Sequence, residues 1–143
     1  MDAYKYVLET TFDWTNAAEL SKLLGSEVKS AELQSLSGAG GMSGARMDRL
    51  VVTGADDAKR SYVLKRTVPV NANMNRDLGM TREALFYAEL APVLAKHLDA
   101  LAAGSQASLP TVVLSAADPE RGVKAILMDD LGKVRVSHCM RMM

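Results

Sequence analysis

Gly40-Gly41-Met42-Ser43-Gly44-Ala45-Arg46-Met47-Asp48-Arg49-Leu50-Val51-Val52-Thr53, followed beyond a polar turn by Ser61-Tyr62-Val63-Leu64-Lys65, is the stretch on which the fold reading turns. Apolar and polar residues alternate from Arg46 to Thr53 and again from Ser61 to Lys65, the period of half-buried strands. Upstream, residues 27–36 alternate in the same way and run into Ser37-Gly38-Ala39-Gly40-Gly41-Met42-Ser43-Gly44, four glycines in eight residues. The pattern is strand, glycine-rich turn, strand, and residues 54–60 form a polar turn into a third strand, which makes an antiparallel meander. A Walker or dinucleotide turn passes from a strand into a helix, so neither applies here. Read alone, the glycine cluster fits a flexible hairpin or a lid whose backbone N–H groups approach a phosphate because no side chain stands in the way.

Working outward, Asn16 with Glu19 three residues on reads as a capping box, Leu20, Leu23 and Leu24 follow at helical spacing, and Gly25 stops the run: a helix over 17–24. Residues 1–13 show no clear period. Residues 67–79, rich in Asn and polar side chains, read as a surface loop. Leu85, Phe86 and Leu90 predict a helix over 81–90 that Pro92 ends while opening a second one, striped by Val93, Leu94, His97, Leu98 and Leu101. Residues 109–114 and 123–128 predict two more strands around Asp118-Pro119 and Gly122.

The chain has 143 residues, 48% hydrophobic and 24% charged, with 17 acidic against 17 basic side chains, so it is one domain long and carries no net field to gather nucleic acid or a membrane surface. A single cysteine, Cys139, makes no internal disulfide, and His97 and His138 form no zinc-type cluster. The start, Met1-Asp2-Ala3-Tyr4-Lys5, lacks the shape of a secretory signal and no apolar run reaches membrane-span length, so the expected compartment is the cytoplasm.

Lys65 closes a strand one strand after the glycine turn, and Glu83 lies on the helix that follows. Taken with Arg82-Glu83-Ala84-Leu85-Phe86-Tyr87 and Ile126-Leu127-Met128-Asp129-Asp130-Leu131, the ordered motifs resemble the aminoglycoside phosphotransferase and choline kinase superfamily, with its protein-kinase-like fold, and most nearly its ecdysteroid-kinase-like branch. The resemblance covers about residues 20–131.

It implies an α+β small lobe, a five-stranded antiparallel sheet with a C-helix and flanking helices, over residues 1–131, followed by an atypical tail over 132–143. It also implies ATP as cofactor: Gly40, Gly41, Ser43 and Gly44 as the lid over the triphosphate, Lys65 on the α- and β-phosphates, and Glu83 orienting Lys65. Glu89 is the rival partner, but six residues place it well round the helix from Glu83. Met128, Asp129 and Asp130 would form the hinge that meets the adenine through backbone groups, with Val63 and Ile126 sandwiching the ring. The two aspartates read as a polar strand exit, or as a contact to a ribose or substrate hydroxyl. The partner implied is a small molecule with a hydroxyl acceptor, without nucleic acid or membrane.

Kinase-type transfer further needs a base and two Mg²⁺ ligands from a catalytic lobe beyond the hinge. Past Leu131 the sequence has no such pattern, since His138 is followed by Cys139 and Met140. The expectation is a chain that stops before the catalytic loop, with Mg²⁺ relevant only where that lobe exists. The alternative is a non-catalytic nucleotide- or protein-binding lobe that self-associates through an apolar underside near Leu85, Val112 and Met128.

Overall fold

The computed structural model describes residues 2–36, 45–101 and 109–132. The positions assigned to the lid (Gly40, Gly41, Ser43 and Gly44) and the tail from 133 onward lie outside the described residues.

Local signals set the first helix. Asn16 Oδ1 accepts a hydrogen bond from the Glu19 N–H at 3.1 Å, and Gly25 closes the helix with φ of 66°, so α1 runs Ala17–Leu24. The reciprocal arm of the capping box is not made: the Asn16 N–H donates to the Asp13 carbonyl instead. The unassigned N-terminus is a 3-10 helix, Asp2–Leu8, whose Val7 and Leu8 are buried in one core cluster with Trp14.

Five strands follow: β1 (Val28–Ser35), β2 (Arg46–Gly54), β3 (Lys59–Arg66), β4 (Val112–Asp118) and β5 (Val123–Asp129). They form one antiparallel sheet in the order β1-β2-β3-β5-β4, so the α+β class and the five-stranded antiparallel sheet are as the sequence predicts. β4 lies later than the predicted 109–114.

The stretch predicted as a surface loop between β3 and β4 is instead helical, with a 3-10 turn (Pro69–Asn71) leading into α2 (Ala72–Asp77). Its anchor is the β4–β5 turn, where Gly122 packs against the α2 backbone at Ala72 and Arg76. Nor does Pro92 break the next helix. α3 (Arg82–Leu85) passes through a π-helical turn (Phe86–Leu90) directly into α4 (Ala91–Leu101). Proline lacks an N–H and crowds the carbonyl four residues back, and a wide turn just before it accommodates both.

The register sorts the strands into two faces. Directly paired residues share a face, so Asp48, Leu64, Leu127 and Leu114 form one row, while Met47, Lys65, Ile126 and Ser115 form a row on the other side. The first face carries the main core: Leu50, Leu64 and Leu127 are fully buried, together with Leu20 of α1 and the N-terminal Val7 and Trp14. Asp48 also points into this side with no exposure, which only pairing makes tolerable; Arg46 and Arg66 bond to its carboxylate at 2.9 and 3.1 Å.

The second face is covered over β4 and β5 alone. Ala84 of α3 packs on Ala117 and Ile126, with Tyr87, Val112 and Met128 around them, and the Ser115 hydroxyl donates to the Ala84 carbonyl at 2.7 Å. Arg49, Val51, Val63 and Lys65, beyond the reach of that small cluster, stay half-buried. Among the described residues no helix is long and apolar enough to cross a membrane.

Candidate functional site

Lys65 and Lys124 are diagonal neighbours on the second face, because Lys65 stands opposite Ile126 and Lys124 lies two residues before it on β5. α3 lays Glu83 across them. The Lys65 ammonium lies 2.9 Å from Glu83 Oε1 and 2.7 Å from Oε2, and Lys124 Nζ reaches Oε2 at 2.8 Å. Lys124 also donates to the Met80 carbonyl at 2.8 Å. Exposure separates the two lysines: the side chain of Lys124 is 3% exposed and that of Lys65 is 21% exposed.

Burial alone would push the Glu83 carboxyl up. Hydrogen bonds from Lys124 and Lys65, together with their charges, more than offset that and hold it below the ordinary carboxylate value. Glu83 is therefore ionised at neutral pH, between two ammonium groups. Glu89 falls in the π-helical turn and is exposed.

At the end of β5, Asp130 is engaged within the chain. Its Oδ2 accepts from Arg49 Nε at 2.6 Å and from the Ser61 hydroxyl at 2.7 Å, while Oδ1 accepts from the Gly132 N–H at 2.9 Å. The Ser61 hydroxyl, then the Gly132 N–H and, against the opposing effect of burial, Arg49 hold this carboxyl low. Asp130 thus ties the strand exit to β2 and β3.

Backbone groups here are partly spent as well: the Asp129 N–H donates to the Thr111 carbonyl and the Asp130 N–H to the Ser61 carbonyl. Among the described residues the Leu131 N–H has no such partner, and its side chain is two-thirds exposed. Met128 and Val63, paired across β5 and β3, are half-buried on the second face.

Ile126 departs from expectation. It is fully buried beneath Ala84 and Ala117, so it is not available to sandwich a ring; the row that puts Lys65 on this face also puts Ile126 under α3. Leu85, Val112 and Met128 are half-buried, and among the described residues Val70, Leu131, Leu78, Val93 and Leu90 are the large apolar side chains most open to solvent.

No protein-family model, curated protein or solved structure matches the chain.

A groove of about 640 Å³ opens on the opposite side of the sheet, walled by Phe12 and Trp14 and rimmed by Arg46, Arg66, Arg76 and Arg121. Each of these arginines already pairs with a carboxylate of the chain: Asp48 for the first two, then Asp77 and Glu9. On the other face two lysines, Lys65 and Lys124, share the single carboxylate of Glu83. No three His, Cys, Asp or Glu side chains among the described residues are grouped to hold a metal ion.

Lys124 is the site residue that sequence reasoning passed over. A signal existed, because a lysine inside Val123-Lys124-Ala125-Ile126-Leu127, apolar on both faces, has to find a carboxylate.

Proposed function

We propose that the chain supplies the ATP-binding lobe of a kinase-like phosphotransferase acting in the cytoplasm on the hydroxyl of a small molecule, of the aminoglycoside phosphotransferase and choline kinase type. The observation that carries the reading is the Lys65–Glu83 ion pair at 2.7 Å. A strand-end lysine and a helix glutamate, singled out by their order relative to a glycine-rich turn, meet on the open face of the sheet. The five-stranded antiparallel sheet with helices between β3 and β4 supports the finer reading of a protein-kinase-like small lobe.

In this reading Lys65 meets the α- and β-phosphates, and Glu83 fixes where its ammonium points. Gly40, Gly41, Ser43 and Gly44 close over the triphosphate. Met128, Asp129 and Asp130 form the hinge that meets the adenine edge through backbone groups, and Val63 offers an apolar wall for the ring. Bound ATP supplies the phosphoryl group. The residues of this chain bind and orient it, since positioning and electrostatics account for most of phosphoryl-transfer catalysis.

The test is equilibrium titration of the folded 143-residue chain with a fluorescent ATP analogue, displaced by unlabelled ATP. Saturable, displaceable binding is expected, weakened about tenfold or more by Lys65→Met, the scale of one lost charge-assisted contact. A folded wild-type chain that binds no ATP, or a Lys65→Met variant that binds as well, overturns the reading.

A further inference from the structure

Lys124 is enclosed by the sheet and α3, and its ammonium has fixed acceptors in the Met80 carbonyl and Glu83 Oε2, both at 2.8 Å. A buried ammonium is costly unless paired, so Lys124 stays with Glu83 whatever else binds nearby. Lys65 differs: it holds the same carboxylate but stands at the edge of the covered region, facing the open half of the sheet.

In a site built from one lysine and one glutamate, an incoming phosphate competes with the carboxylate for the ammonium, and the two anions repel. Two lysines on one carboxylate remove that conflict. We propose that Lys124 is the standing counter-ion of Glu83, so that the Lys65–Glu83–Lys124 cluster carries a single net positive charge and binds an oligophosphate without a divalent metal. The proposal deepens the ATP-binding reading and rests on it only in taking the phosphates to be those of a nucleotide; the anion site itself follows from the charges. Lys124 is a positioning and charge-balancing residue. Lys65 is the group that touches the ligand.

Charge balance makes a demand that mere structural support does not. Lys124→Met leaves a neutral Lys65–Glu83 pair and weakens oligophosphate binding, whereas Lys124→Met combined with Glu83→Gln restores the net charge and recovers it. The experiment is calorimetric titration of the full chain at low salt in EDTA with two probes, inorganic tripolyphosphate and ATP, each variant being checked for folding by circular dichroism. Wild type should bind tripolyphosphate, Lys124→Met about tenfold more weakly, Lys124→Arg close to wild type, and the double variant most of the way back.

Unchanged binding by Lys124→Met, or no recovery in a folded double variant, overturns the proposal. Should Lys124→Met fail to fold, failure of the wild type to bind tripolyphosphate in EDTA overturns it equally. Tripolyphosphate binding without ATP binding sustains the anion site and sinks the nucleotide reading. ATP binding that depends on Lys65 but not on Lys124 does the reverse.

Discussion

Replacing Gly122 by alanine tests the contact on which α2, and through it the site, depends. Gly122 has φ of 69°, and a Cβ there would press on the Ala72 carbonyl and stand 2.7 Å from the Arg76 backbone nitrogen. Both obstacles are backbone atoms of α2, so no side-chain rotation relieves them. Gly25 is the matched control, with φ of 66° and nothing within 4 Å of its added Cβ. Left-handed backbone costs a non-glycine residue about 1–2 kcal/mol, which is the whole expected cost of Gly25→Ala. Gly122→Ala adds the displacement of α2, about 1–3 kcal/mol on the scale of core overpacking, for a total of about 2–5 kcal/mol. At about 3 °C per kcal/mol for a chain of this length, the two variants should melt about 3–6 °C and 6–15 °C below wild type.

Urea unfolding followed through the buried Trp14 measures the same difference at constant temperature. A second readout follows from connectivity. Past the end of α2 the Met80 N–H donates to the Asn75 carbonyl, and the Met80 carbonyl receives Lys124. Gly122→Ala should therefore also weaken oligophosphate binding, and Gly25→Ala should not. Equal destabilisation by the two substitutions, within about 0.5 kcal/mol, would refute the packing of the β4–β5 turn on α2.

Leu64→Ala, in the middle of the fully buried row, should cost about 2–5 kcal/mol in urea unfolding, while Val63→Ala on the half-buried face should cost much less; equal costs would mean that the two faces are wrongly assigned. Glu83 and Asp130 are both held below their ordinary carboxyl values, so the stability they contribute is present above those values and lost as pH falls through the lower folded ones. Denaturation midpoints should decline below about pH 4.5, the ordinary Glu value, and Glu83→Gln should flatten that decline; an identical slope in the variant counts against the ion-pair cluster. On the proposed reading ATP turnover needs a base and Mg²⁺ ligands from a second lobe, so the 143 residues alone should show no ATP hydrolysis above background; turnover abolished by Lys65→Ala would contradict this.

What the sequence made legible was local. The ends of α1 are written in Asn16 and Gly25, and the β2 and β3 strands in their alternation, because caps and pleats act over a few residues. α2 was not legible: Asn71-Ala72-Asn73-Met74-Asn75 has weak helical character, and its helix is supported by a turn some fifty residues away in sequence. β4 was misplaced for a similar reason. Ser115, Ala116 and Ala117 lack strand propensity, yet small side chains are what let α3 come close enough for Ser115 to reach the Ala84 carbonyl. At the site, Lys65 and Glu83 stand out by their order in the chain, whereas Lys124 and the inward Asp48, each interrupting an apolar face, carry no such ordered motif.

The π-helical turn over Phe86–Leu90 amounts to one residue more than an α-helix of the same span requires. An extra residue advances the helix by about 100°, so it sets how α4 is rotated relative to α3. Leu90, Val93 and Leu94, at the end of that turn and in the first turn of α4, stand exposed. Deleting a single residue from the turn would close it to an ordinary helix and swing those three side chains round the axis, leaving Glu83, one turn earlier, where it is. A change of length at this point thus acts on what α4 shows to solvent and on how Tyr87 meets the small cluster over β4 and β5, while Glu83, which holds the two lysines, precedes it.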